Sequence, residues 1–423
     1  MNDRLTLFLP CASGVQEFLA DEVHGLTGLT GQDLLTLRGG VRVHAGWREL
    51  MLLNLHSRLA QRVLIELAHG PCASEDDLYR LAHTVPWENW FAARQTFKVD
   101  LTAQRSPLKS LNFATLRVKD AVADAFRTRA GGARPSVDTH EPDVRVQAHL
   151  TQAEATLYID SSGAPLFKRG WRQQQGDAPL KETLAAAMLA ASGWWLPAER
   201  RVQGVPLYDP CCGSGTIVIE AAQLLLGLPA GGLRSFAFQH LKPFDPALWN
   251  AIKREATHPA IGKDAKNQPP RIFGSDVAHR MVDFAQRNAE RAGVAHAVQL
   301  RGGDALQRLP PTDTPGMLLL NPPYGERIDV AGSVRQSRER FVSESSSADE
   351  RAGDLFFERL AAHWKQHFAG WTAWLLTPDL KLPARLRLKE SRRVPMWNGP
   401  IECRLFRFDL TARGTAASPT SAT

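Results

Sequence analysis

An α/β chain with an α+β front half is the fold class this sequence predicts, and three observations carry that prediction. From Val205 onward, short apolar runs alternate with helical stretches in a βαβ order. Those runs stop at polar residues, Asp209, Asp276, Asp304 and Asn321, where open α/β sheets place their ligands. Before residue 160 the order is βαββαβ followed by a second mixed unit, so the front half predicts a ferredoxin-like platform rather than a parallel sheet.

Composition bounds the partners. At 423 residues the chain predicts two or three domains, and 43% hydrophobic residues with 32 Gly and 27 Pro describe a folded protein. The first ten residues lack a basic segment followed by a sustained apolar one, and no 18-residue apolar run occurs. The expectation is therefore a cytoplasmic protein with no membrane association. Five cysteines without a Cys-x-x-Cys pair predict reduced thiols and no metal. The net charge of +7 is uneven: residues 1–160 carry 17 basic and 19 acidic side chains, leaving 34 and 25 for the rest. Lys98 to Arg134 holds eight basic against three acidic residues, and Lys381 to Arg407 eight against two. Either stretch alone is as readily a solvated face as a polyanion site, but both beside a base-sized pocket favour nucleic acid.

The elements follow in order. Leu5 to Pro10 predicts a strand, and Val15 to His24 a helix that Gly25 can cap. Leu34 to Leu37 and Val41 to His44 predict strands around Gly39-Gly40, Trp47 to His56 a helix, and Gln61 to Ala68 a strand that completes the platform. Helices at Glu75 to Phe91 and Leu111 to Arg129, with strands at Thr96 to Thr102, Val144 to Leu150 and Ala155 to Ile159, make the second unit, which contains the first basic stretch. After Lys168-Arg169-Gly170-Trp171-Arg172, Asp177 can cap and Pro179 can begin a helix whose Leu184, Ala187, Met188, Ala191 and Trp195 share a face.

The chemistry begins at Val205 to Tyr208, a short buried strand ending in Asp209-Pro210-Cys211-Cys212-Gly213-Ser214-Gly215-Thr216, with Ile217 to Leu226 helical behind it. The glycines let backbone approach a ligand closely. A dinucleotide fingerprint is disfavoured, because its third glycine would fall at Val218 and no acid follows at the required distance. Strands at Ile272 to Asp276 and Val298 to Asp304 each end in a carboxylate that suits ribose hydroxyls or an adenine amino group; singly each can equally cap the next helix, but in this series the ligand reading wins for Asp276. Met317 to Leu320 then runs into Asn321-Pro322-Pro323-Tyr324. Proline cannot donate to a sheet ladder, so the strand ends there and leaves an acceptor amide, two stiff residues and an aromatic ring: a grip for a flat molecule bearing an NH2 group. Cys211 and Cys212 read as small packing residues, and Trp194, Trp195, Trp364, Trp371 and Trp374 as core or interface aromatics.

Together, Asp-Pro-Cys-Cys-Gly-Ser-Gly-Thr at 209–216, Asn-Pro-Pro-Tyr-Gly-Glu-Arg at 321–327 and Phe-Lys-Arg-Gly-Trp-Arg at 167–172 resemble the class I S-adenosylmethionine-dependent RNA methyltransferases with an N-terminal THUMP domain, and most of all the 23S rRNA guanine-N2 methyltransferases. Residues 54–63, 134–138 and 398–403 extend the similarity to about residues 5–410. The resemblance implies a ferredoxin-like subdomain over 1–68, an RNA-binding THUMP domain over 69–165, a linker and helix over 166–200, a Rossmann-like methyltransferase domain with a seven-stranded sheet over 201–410, and a disordered tail over 411–423. It implies S-adenosylmethionine held by Asp209, Pro210, Gly213, Ser214, Gly215, Thr216, Asp276, Asp304 and Asn321. Catalysis falls to Asn321, Pro322, Pro323 and Tyr324, and RNA contacts to Lys109, Arg117, Lys168, Arg169, Arg172 and Arg327, the partner being large-subunit rRNA or an assembly intermediate.

Two departures stand beside it. Residues 328–354 are longer and richer in Ser and charge than the family's usual link and predict a mobile loop by the pocket. The chain ends soon after Leu410, so a second methyltransferase domain, present in some relatives, is not expected, and Gly231 to Gln268 reads as a helical insertion. Asn-Pro-Pro-Tyr alone also serves DNA amino-methyltransferases and protein glutamine methyltransferases. A DNA adenine or cytosine methyltransferase and a noncatalytic RNA-binding assembly factor therefore stay open as alternatives.

Overall fold

The computed structural model describes residues 4–176, 179–256, 271–322 and 346–411, with side chains from residue 355 in the last segment. The described residues of Met1–Cys11, Leu19–Arg169 and Pro229–His258 gather in one compact unit, and those of Ala12–Phe18, Gly170–Leu228 and Pro259–Thr423 in another.

The front half runs β1 Leu5–Pro10, α1 Gln16–Thr27, β2 Leu34–Leu37, β3 Gly40–Ala45, α2 Trp47–His56, β4 Leu64–Pro71, α3 Glu75–Thr84, β5 Phe97–Ala103, α4 Leu111–Arg129, β6 Val144–Leu150 and β7 Glu154–Asp160. Its strands form one seven-stranded sheet in the order β2-β3-β1-β4-β7-β6-β5. The βαββαβ platform is present, and β4 joins it to the second mixed unit by pairing antiparallel with both β1 and β7. The edge a four-stranded platform would expose at β4 is thereby covered.

Local departures have local causes. α1 runs through Gly25 to Thr27, because Gly28 rather than Gly25 takes the left-handed conformation, φ 73°, and its N–H closes on the His24 carbonyl. The helix expected to reach Phe91 stops at Thr84, since Pro86 disfavours a helical Val85, and only a 3-10 turn follows at Trp87–Asn89. The strand expected from Gln61 begins at Leu64.

The second half contains α5 Glu182–Ala191, β8 Trp195–Leu196, β9 Arg201–Val202, β10 Leu207–Asp209, α6 Thr216–Leu225, α7 Pro246–Ala256, β11 Ile272–Asp276, α8 His279–Arg291, β12 Val298–Gly302, β13 Met317–Leu320, α9 Ser346–His367, β14 Thr372–Thr377, α10 Leu382–Leu386, β15 Arg392–Asn398 and β16 Ile401–Asp409. Asp177, the expected cap of α5, lies outside the described residues, and Lys181 occupies the cap position. All ten residues of α5 are buried, so the one-faced helix read from the sequence is buried all round, and Trp195 lies in β8.

A second seven-stranded sheet has the order β12-β11-β10-β13-β14-β16-β15. Its first five strands run parallel, and β16 and β15 close it antiparallel. Strands covered on both faces need near-continuous apolar runs, as the fully buried Met317–Leu320 shows. Tyr208, Leu318, Leu320, Trp364, Phe368, Trp371 and Phe406 share a core cluster, in agreement with the core reading of Trp364 and Trp371. Residues 229–256, read as a helical insertion, do carry a helix, α7, and belong to the front unit: Gly231 donates to the Leu55 carbonyl and Phe238 to that of Ser161.

Candidate active site

Everything chemical in the second unit converges on one edge of its sheet. The chain starts at β10, moves through β11 to β12 on one side, then returns to β13 and β14 on the other. That reversal opens a crevice beyond the carboxyl ends of β10 and β13, where open α/β sheets bind ligands. Asp209 ends β10, Asp276 ends β11, and Asn321 directly follows β13. Asp304 stands two residues past the end of β12, not at its end. There its carboxylate accepts the Leu306 N–H at 2.9 Å and its carbonyl the Gln307 and Arg308 N–H groups.

The glycine loop between β10 and α6 is held by backbone and carboxylate together. Gly215, φ 90°, is the N-cap of α6, and a Cβ there would meet the Ala285 Cβ at 3.0 Å. The Cys212 N–H bonds the Ser275 carbonyl at 2.9 Å, and the Gly213 N–H bonds Asp276 Oδ2 at 2.9 Å, so the loop is sewn to the end of the neighbouring strand. Asp276 Oδ1 accepts the Ala278 N–H at 2.9 Å, so this acid caps its own turn as well as facing the loop. The capping reading of Asp276 is therefore what the structure shows, with the same carboxylate also holding the glycine loop.

Burial shapes the electrostatics. Asp209 is 2% exposed, and desolvation, with Asp276 adding repulsion, holds its carboxyl well above the usual range despite the Cys211 N–H at 3.1 Å. Desolvation likewise raises Asp276 and pushes the Cys211 and Cys212 thiols up, which suits packing residues rather than nucleophiles. The Tyr208 hydroxyl, pushed up to about 12 by burial, shares a 2.7 Å hydrogen bond with Ser275 Oγ beneath the loop.

A raised carboxyl pKa has a definite sign. The native state holds the Asp209 proton more tightly than the unfolded chain, so its stabilising contribution is present below the unfolded value near 3.8 and is lost as pH rises toward the folded value. Asp209→Asn keeps an acceptor for the Cys211 N–H and removes the carboxyl whose raised pKa disfavours the folded state at neutral pH. It is expected to raise stability at pH 7 by roughly 1–3 kcal/mol, with the gap closing toward pH 4. Melting curves across that range check this, and a lower Tm for the variant at neutral pH would contradict it.

Asn321 is the residue that stands out once side chains are in place. Its Oδ1 is buried and accepts no hydrogen bond among the described residues, and Pro322 beside it is buried. Buried polar atoms of native proteins nearly always have partners, so this acceptor at the carboxyl end of β13 is one that a further donor could satisfy. Pro323, Tyr324 and Arg327, named with it from the sequence, lie outside the described residues, as does most of the 328–354 loop.

The basic residues expected to contact RNA separate sharply. Lys109 and Lys168 are exposed. Arg117 pairs with Asp76 at 2.7 Å and lies over the Tyr79 ring. Arg169 corrects the sequence reading: it is 1% exposed, and its guanidinium donates to the carbonyls of Leu166 and Arg58, both at 2.8 Å, so it braces the front unit and faces no solvent. Arg172 is also turned inward, onto Ser214, Thr216 and Glu182. Sequence reasoning missed Asn288, fully buried on α8, whose amide donates to the carbonyls of Ser214 and Gln174 at 3.0 Å. No local pattern marked it, since one asparagine in a polar helix carries no signal until the loop is placed against it.

Comparison with known proteins matches three stretches of the chain in the same order as its elements. Residues 6–64 match the RlmL ferredoxin-like domain, 72–160 the THUMP domain, and 169–349 the UPF0020 family, described as an RMKL-like methyltransferase domain. The ribosomal RNA large subunit methyltransferase K/L of Psychromonas ingrahamii is 34% identical over 97% of this chain and 51% of its own length. That of Shewanella amazonensis is 36% identical over 96% and 53%. The chain thus spans about half the length of the curated relatives it matches. Among solved structures, SMU.472 in complex with SAH superposes with a TM-score of 0.82 at 25% identity, covering 98% of this chain and all of that one. A Listeria monocytogenes protein titled a predicted N6-adenine-specific DNA methylase gives 0.79 at 26%, covering 96% of each. Along its length, in this order, the chain is thus similar to an RlmL-type ferredoxin-like domain, a THUMP domain and an RMKL-like methyltransferase domain.

Proposed function

We propose that this protein transfers a methyl group from S-adenosylmethionine to the exocyclic N2 amine of a guanosine in large-subunit ribosomal RNA. The observation that carries the reading is the buried Oδ1 of Asn321, without a hydrogen-bond partner among the described residues, at the strand end next to Asp209. The residues present fit the cofactor: Gly213 and Gly215 leave bare backbone at two points of the loop, Asp276 offers a carboxylate suited to ribose hydroxyls, and Asp304 lies one strand further out for an amino group. When bound, S-adenosylmethionine supplies an electrophilic methyl carbon on sulfur.

The protein's own task is to present a nitrogen lone pair. An exocyclic amine shares that pair with its ring, and accepting its N–H bonds at Asn321 Oδ1 and the Pro322 carbonyl favours the pyramidal, positively charged nitrogen of the transition state. No strong base is needed, because the methylated amine becomes acidic and releases its proton to water. Extracting the target base from its stack and holding it by this amine edge follows the general requirement for chemistry on a nucleobase. The names of the relatives and the THUMP match support RNA as the polymer.

The Listeria likeness keeps a DNA amino-methyltransferase as the second reading. Incubating the protein with labelled S-adenosylmethionine and, separately, ribosomal RNA and genomic DNA from cells lacking it, then digesting to nucleosides, decides between them. Label in N2-methylguanosine is the expected result. Label in a methylated adenine or cytosine of DNA sinks the proposal, and tight RNA binding without label replaces it with an assembly role.

A further inference from the structure

Arg172 belongs to the segment leading into α5, not to the strand ends that make the crevice, yet its guanidinium is spent on the glycine loop. Its side chain is 12% exposed. Nη1 donates to Ser214 Oγ at 3.1 Å, and Nη2 donates to Thr216 Oγ1 at 2.8 Å and to the Leu180 carbonyl at 3.0 Å. Nε donates to Glu182 Oε1 at 2.8 Å, in the first turn of α5, and the guanidinium carbon lies 5.1 Å from the Trp171 ring centroid. Four of the five N–H groups of the guanidinium are therefore engaged inside this unit.

The pattern of those partners is informative. Ser214 and Thr216 flank Gly215, the left-handed residue on which the loop turns into α6. A planar fork that holds one hydroxyl on each side fixes the turn angle at a residue with no side chain of its own to fix it. The following residues strengthen the hold: the Gln174 carbonyl and the Ser214 carbonyl share the amide of Asn288, while Arg291 donates to the Trp171 carbonyl at 2.9 Å. A phosphate contact would require breaking several of these bonds, so the arrangement argues against Arg172 acting on RNA directly.

We propose that Arg172 is a positioning residue for the cofactor site, setting the glycine loop through the hydroxyls of Ser214 and Thr216. The proposal rests on reading that loop as the S-adenosylmethionine site. It gives a segment outside the strand ends control over cofactor affinity, with RNA affinity left to other residues.

The test is calorimetric binding of S-adenosylhomocysteine to the full chain, with methyl transfer at saturating S-adenosylmethionine and filter binding of ribosomal RNA measured alongside. Arg172→Gln should weaken S-adenosylhomocysteine binding about ten- to a hundredfold, as expected for lost charge-assisted bonds, while transfer at saturation and RNA binding change little. Arg172→Lys, which keeps the charge but not the fork, should fall between. Because Arg172→Gln and Thr216→Val remove the same contact, their combined effect should be clearly smaller than the product of the two. Glu182 is buried beside the guanidinium, so Arg172→Gln can fail to fold; Arg172→Lys and Thr216→Val then carry the question, and wild-type affinity in both overturns the proposal. Unchanged affinity in a folded Arg172→Gln, multiplicative effects in the double variant, or loss of RNA binding with normal affinity overturns it as well. Wild-type protein that binds no S-adenosylhomocysteine overturns the cofactor reading itself and this proposal with it.

Discussion

Asn321→Ala is expected to cut methyl transfer by about 10²–10³-fold at saturating cofactor and RNA, the range found when one preorganised hydrogen-bonding group is removed from a transition state. Binding of S-adenosylhomocysteine should stay within a few-fold of wild type if, as proposed, the amide serves the amine rather than the methyl donor. The same substitution should leave the melting temperature unchanged or raise it. The buried Oδ1 has no partner among the described residues, so removing it relieves desolvation instead of breaking a bond. A variant at once inactive and at least as stable is the signature of a group kept for function. Loss of both cofactor binding and transfer would refute the role assigned to Asn321, and a fall of several degrees in Tm would show that the amide is structural.

Asp276→Ala should weaken S-adenosylhomocysteine binding by about a hundredfold or more. It removes a carboxylate suited to ribose and also frees the Gly213 and Ala278 N–H groups that this carboxylate now holds. Asp276→Asn, which keeps one acceptor oxygen, should lose less. Burial already raises the Asp276 carboxyl, so wild-type affinity should fall as pH drops through that raised value, and Asp276→Asn should abolish this part of the pH profile. Calorimetry from pH 5 to 8 reads both effects. An alanine variant with near-native affinity would return Asp276 to a purely capping role.

Much of the scaffold was legible in the sequence because its signals are local. The helix at Leu111–Arg129 and the strands at Val144–Leu150 and Ile272–Asp276 stand where periodicity and turn residues put them. The misreadings arose where a non-local partner decided. Gly25 carries the same local signal as Gly28, and the helix ended at Gly28, which takes the left-handed conformation and closes on the His24 carbonyl. α5 showed an apolar stripe, and the sequence could not show that its other faces would also be covered.

Arginine was the least legible residue. Lys168, Arg169 and Arg172 form one basic motif in the sequence, yet Lys168 is exposed, Arg169 braces backbone carbonyls in the front unit, and Arg172 grips the glycine loop. Charge and spacing are the same whether a guanidinium meets a phosphate or a ring of carbonyls; only the surrounding fold distinguishes them.

By itself, then, the sequence determined the order of elements, the polar residues at the strand ends and the Asn321-Pro322 pair on which the proposed amine chemistry rests, because each depends on residue type and neighbours along the chain. Tertiary structure alone decided that β4 would join two sheets into one, that residues 229–256 would pack with the front unit, that Asn321 Oδ1 would be buried without a partner among the described residues, and that Arg172 would turn inward. Burial and hydrogen-bond satisfaction are properties of the packed chain, and they are what separate a strand terminus from a grip and a surface charge from a brace.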